Sequence, residues 1–162
     1  MDLLHRLLAH DRWATNVLFD TCEPLTDEQF GKAFDIGHES IHATFGHVIF
    51  NLEAWTSDMR QEEIDRSDQD WSLANLRPRW ERAFEAFATT SLQLDHDGKL
   101  DDTFTDSWGQ PQTYGAAILH VVLHDDEHRQ EILHILNRLG VDPVPEIDHA
   151  LWDFVRRGLA ND

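Results

Sequence analysis

One long periodic segment constrains this chain more than anything else in it. From Thr113 to Leu139 the residues Ala117, Val121, His124, His128, Ile132, Ile135 and Leu139 follow one another at steps of three or four. That is the period of one face of an α-helix. Gly140 then supplies a helix-ending residue, and Pro143 lies beyond it as a stop. A helix over that span is about 40 Å long at 1.5 Å per residue. A single apolar stripe of that length must be covered, and other helices of similar length cover it best.

The rest of the chain supplies them. Leu3, Leu4, Leu7, Leu8, Ala14, Val17 and Leu18 recur behind Asp2, a candidate N-cap, and predict a helix from 3 to about 22, ended by Pro24. Thr26-Asp27-Glu28-Gln29 has capping-box form and predicts a short turn of helix. Ile41, Phe45, Val48, Leu52, Trp55 and Met59 behind Ser40 predict a helix from about 39 to 60, which the polar stretch Gln61 to Asp70 breaks. Trp80, Phe84, Phe87 and Leu92 mark a third long helix starting near Ser72, with Pro78 expected to bend or delay it. Between Asp95 and Gln112 the sequence is turn-rich, with room for a short hairpin and no need of a core element. A last amphipathic piece runs from Ile147 to Arg157.

Four long helices with one short additional C-terminal helix predict an all-α four-helix bundle, in one domain over residues 1–162. The connections at 61–71 and 95–112 exceed what simple hairpins need, so at least one crossover is expected. Charge narrows the function. Against 31 Asp and Glu stand only 13 Lys and Arg, a formal net charge of −18 at pH 7 with neutral His. Such a surface repels phosphate backbones and anionic lipid, which argues against nucleic-acid or membrane partners. No apolar run is long enough to span a bilayer. The only cysteine, Cys22, excludes an internal disulfide and a thiolate zinc cage, and suits a small buried hydrophobe. The opening Met1 to Arg6 has no secretory character, and a cytoplasmic location is the expectation.

Eleven histidines stand out in a chain poor in cations. His124 and His128 fall on the core-facing stripe of the longest helix, where an imidazole without a partner is costly to desolvate. Residues i and i+4 are neighbours on a helix, so the two rings can converge on one ion, or each can donate to a carbonyl or carboxylate and simply pack. A metal needs a third ligand. His47, at the edge of the second long helix's stripe, is the best candidate, although a lone histidine there is also a common structural feature. His134, among Glu127, Gln130, Glu131 and Arg138, lies on a solvated face. His120 is one turn before His124, and His10 is near the first helix's stripe with a place in a pocket wall open to it. His5, His38, His42, His96 and His149 fall on helix ends or links and receive no role.

Two rival chemistries use the same residues. Glu39-x-x-His42 and Glu131-x-x-His134 have di-iron spacing, but the first helix has only aspartates, and Glu131 and His134 are placed on the outer face. His124-Asp125-Asp126-Glu127-His128 spells a peptidase string, yet a long helix offers no downstream glutamate as third ligand.

Several local features occur together: Trp13-Ala14-Thr15-Asn16, Ser40-Ile41, Thr44-Phe45-Gly46-His47-Val48, Trp55, His120-Val121-Val122-Leu123-His124, His128-Arg129 and Asp148. In that order and spacing the chain resembles the DinB/YfiT-like family of metal-binding four-helix bundles across nearly its whole length. The resemblance implies an up-down-down-up bundle with one divalent ion, zinc, nickel, manganese or iron, on three histidines, here His47, His124 and His128. It implies an S-transferase or isomerase activity using a low-molecular-weight thiol such as bacillithiol, mycothiol or glutathione, acting on a small-molecule electrophile in an aromatic-lined pocket. A homodimer is a further expectation by analogy. A metal-dependent hydrolase and a non-catalytic metal or small-molecule binding protein are the alternatives. One departure is visible: the family's His-Arg-Gly-Gln reads His128-Arg129-Gln130-Glu131 here, so a carboxylate replaces a neutral amide one turn from the site.

Overall fold

A computed structural model describes residues 1–159. The element order is α1 (Leu3–Cys22), α2 (Asp27–Gly31), α3 (Ile41–Arg60), α4 (Leu73–His96), β1 (Thr103–Thr105), β2 (Pro111–Thr113), α5 (Tyr114–Arg138) and α6 (His149–Arg156). The expected four long helices and short C-terminal helix are all present. The helix ends follow their local chemistry. Asp2 accepts from the backbone of His5 at α1, and Thr26 and Gln29 form both halves of a capping box at α2. Ser40 Oγ accepts from Ala43 N at the start of α3. Gly140, at φ +83°, takes the left-handed conformation that ends α5.

Three expectations need correction. Helix α3 begins at Ile41 rather than 39, because Glu39 sits at φ +68°, outside the helical region. Pro78 does not delay α4, which begins at Leu73 and carries the proline in its second turn; there the missing N–H removes only the bond to Ala74. The 95–112 link does contribute to the core: β1 pairs antiparallel with β2, and the central Phe104 is buried and stacked on Tyr114, ring centroids 4.9 Å apart.

The chain forms two compact units. The first comprises Met1–Thr44 and the chain from Asp126 on. Its interior holds Leu8, Ala14, Leu18, Ile132, Ile135, Leu136 and Trp152. Helix α6 is tied to α1 by Arg6 with Asp153 and by His10 Nε2, 2.8 Å from the carbonyl of Ile147. Asp11 and Arg129 form an ion pair inside this unit, with their side chains 1% and 3% exposed. Cys22 is buried, and burial pushes its thiol up to about 12.

The second unit is Phe45–Asp125. Phe45, Leu52, Leu76, Trp80, Phe87 and Val121 fill its interior, and Trp80 stacks on Phe84 at 5.4 Å. Arg79 of α4 binds both carboxylate oxygens of Glu53 at 2.7 and 2.9 Å, donates to the carbonyl of Asp68 and lies under the Trp71 ring. One guanidinium thus fastens the polar connection between α3 and α4. No described helix is long and apolar enough to cross a membrane.

Candidate metal centre

In the second unit α3 carries His47 and Asn51 one turn apart, and α5 carries His120 and His124 in the same relation. The side chains meet: Nε2 of His47 is 3.3 Å from Nε2 of His124, and the Asn51 amide nitrogen is 3.2 Å from Nδ1 of His124. Two nitrogens on one tetrahedral ion, each at about 2.0–2.1 Å, stand about 3.3 Å apart. The gap between the two rings therefore has the width that an ion such as zinc requires. When Nε2 of His124 gives its lone pair to an ion, Nδ1 carries the ring hydrogen, and a half-turn of the Asn51 amide presents its oxygen as the acceptor.

Beyond His124, the ring of His120 is 5.4 Å from that of His124 and 5.1 Å from Trp55, and Trp55 in turn is 6.1 Å from Trp108. His47, Asn51, Trp55, Asp58 and Trp108 line a cavity of about 790 Å³, the size range of small-molecule sites. Asp125, next to His124, is fully buried, and burial raises its pKa well above the usual carboxylate range, against a smaller opposing effect of hydrogen bonding from Asn51.

His128 belongs to the first unit, where the His38 ring lies 4.9 Å from it. Nδ1 of His128 is 3.1 Å from Oε2 of Glu131. The expectation that Glu131 faces outward is overturned: its side chain is 21% exposed and Oε2 is buried, because the carboxylate turns along the helix toward His128 instead of into solvent. His134 and Glu127 are exposed, as a solvated face requires, so the peptidase string lacks an inward-facing general base. His10, bonded to Ile147 and packed among Trp13, His149 and Trp152, serves the α1 to α6 contact.

Within the first unit, His38 and His128 are two histidines whose ring nitrogens could serve as metal ligands. Sequence reasoning gave His38 no role, since it lies in an irregular link without a periodic stripe to place it. The i, i+3 spacing of His128 and Glu131 was a readable sign of that second contact.

Comparison with known proteins adds the family. The DinB family model matches residues 1–152. The chain belongs to the DinB family. Among solved structures, a DinB-like protein from Bacillus cereus ATCC 10987 is 17% identical and superposes with a TM-score of 0.64 over 86% of this chain and 94% of that one. At that identity the likeness speaks for a shared DinB-like fold. No curated protein matches the chain.

Proposed function

We propose that this DinB-family chain binds one divalent metal ion through His47, His124 and His128 and acts as an S-transferase, joining a low-molecular-weight thiol such as bacillithiol to a small electrophile. The observation that carries the reading is the 3.3 Å between the ring nitrogens of His47 and His124, beside a cavity that His47 also lines. Three neutral imidazoles leave an ion its full positive charge and an open position, which supplies Lewis-acid polarisation and lowers the pKa of a thiol.

The chain's own residues do the rest. The Asn51 amide lies 3.2 Å from Nδ1 of His124, and a half-turn that brings its oxygen there would hold the ring in the tautomer that frees Nε2. Trp55 and Trp108 offer aromatic faces for the apolar body of an electrophile. The thiol must come from outside, because Cys22 is buried with its thiol pushed up to about 12. In the reaction the thiol sulfur forms a bond to the electrophilic carbon. The leaving group departs with the electron pair of its own bond, and the thiol proton passes to solvent.

Elemental analysis of untagged protein is expected to give about one ion per chain. His47→Ala, His124→Ala or His128→Ala should lose it, and His134→Ala should keep it. Affinity should weaken as pH falls through about 6.5, where protons compete for the imidazole lone pairs. With cobalt in place, addition of bacillithiol should produce a near-ultraviolet sulfur-to-metal band and release a proton. Equal metal content in all four variants overturns the ligand set. Turnover of an electrophile without added thiol favours a hydrolase, and binding without turnover favours a non-catalytic binding protein.

A further inference from the structure

The link before α3 is shaped by two left-handed residues, Gly37 at φ +39° and Glu39 at φ +68°. Its own backbone bonds hold the turn: Glu39 N to the carbonyl of Ile36 at 2.6 Å, and Phe34 N to the carbonyl of Glu39 at 2.7 Å. Arg138 fastens the same link to α5, with Nη1 2.6 Å from Oδ1 of Asp35 and the guanidinium 4.7 Å from the Phe34 ring. The turn so held brings Gly37 against the carboxylate of Glu131. A Cβ on Gly37 would overlap Cδ and both oxygens of that group. The space that a side chain at 37 would fill is the space in which Glu131 reaches His128.

We propose that Glu131 is the positioning carboxylate of His128, holding Nδ1–H so that Nε2 is the lone pair offered to the ion, and that Gly37 provides the room that keeps it there. The proposal rests on the metal reading above and goes beyond it, to a residue where this chain departs from the pattern it resembles. Three observations support it. Oε2 of Glu131 is buried 3.1 Å from Nδ1 of His128, and neither atom is hydrogen-bonded as the structure stands, so a small turn of the ring would join two groups that otherwise stay unsatisfied. A carboxylate behind a ligating imidazole fixes the tautomer and raises the basicity of the far nitrogen. The backbone at 37 has the conformation and the bare Cα that the arrangement needs. His124 faces a neutral amide instead, so the two α5 histidines differ in the groups behind them.

The test uses the full chain and a chromophoric chelator competing for zinc, together with the visible spectrum of the cobalt form. Glu131→Gln keeps shape and removes charge; it should weaken zinc binding about 10- to 100-fold and shift the cobalt bands. Gly37→Ala leaves every imidazole in place and pushes the carboxylate aside. It should weaken binding in the same direction, and the double variant should be no weaker than Glu131→Gln alone, because both changes remove one interaction. Circular dichroism and urea midpoints of the metal-free proteins report whether each variant folds; if Gly37→Ala does not, Glu131→Gln decides alone. Wild-type protein that binds no ion overturns the metal reading. Wild-type protein that binds one ion, with Glu131→Gln matching its affinity and spectrum, overturns only the role of Glu131. Wild-type affinity in Gly37→Ala beside a weakened Glu131→Gln overturns the part given to Gly37.

Discussion

Each compact unit buries an arginine on a carboxylate, and the two are held in opposite ways. Arg129 pairs with Asp11 where both side chains are almost sealed from water, and Oδ2 of Asp11 and Nε of Arg129 find no hydrogen-bond partner among the described residues. Burial drags the Arg129 guanidinium down to about 10. Arg79, as little exposed at 5%, meets a Glu53 that keeps 20% of its surface, uses both of its oxygens, and adds the Asp68 carbonyl and the Trp71 face. Its pKa moves up, chiefly through the hydrogen bonds to Glu53. The same pair of groups thus opposes or favours its own charge according to whether the remaining donors are satisfied and whether one partner reaches solvent.

Breaking the first pair should have the larger effect. Asp11→Ala leaves the buried Arg129 only its longer contacts to Thr15 at 3.3 Å and Asp126 at 3.4 Å, and should cost about 3–5 kcal/mol in urea unfolding. A loss below about 1 kcal/mol would mean that the guanidinium finds water or another carboxylate. Glu53→Ala should cost less, about 1.5–3 kcal/mol, because the Asp68 carbonyl and the indole still hold Arg79. If the order reverses, completeness of hydrogen bonding rather than burial governs these pairs.

The comparison sharpens with a carboxylate that has no arginine at all. Asp106 accepts from the backbone of Trp108 and Gln110 and from the Gln112 amide, and these bonds, the one from Gln110 foremost, lower its pKa below 3.8. A carboxyl lowered on folding contributes stability that is whole above the unfolded value and lost as pH falls through the folded one. Trp108 fluorescence should therefore stay constant from neutral pH to about 4 and change only below it. A change near pH 6 would point to a histidine instead.

Much of this was legible in the sequence because helices announce themselves locally. The α5 stripe, the Thr26 capping box and Gly140 each act within one or two turns, and the structure uses all of them. Asp11 was legible in principle: with Leu8, Thr15, Leu18 and Cys22 it falls on a stripe spaced three and four, so a charge there demands a partner. The partner itself, Arg129, lies 118 positions away, and no local rule pairs them. His38 and Gly37 were hidden for a different reason. Their placement depends on left-handed turn residues whose direction periodicity does not encode. Phe104 was missed because a three-residue strand is too short to show alternation.

The state of Cys22 bears on how this protein behaves among thiols. With its pKa at about 12, roughly one such group in 10⁵ is ionised at neutral pH, against a few per cent for an ordinary exposed cysteine. In a solution of a low-molecular-weight thiol the folded chain therefore resists mixed-disulfide formation at Cys22. The same sulfur becomes a gauge of fraying: a thiol-directed reagent reacts only when the last turn of α1 opens, and its rate reports the free energy of that local opening without any substitution in the chain.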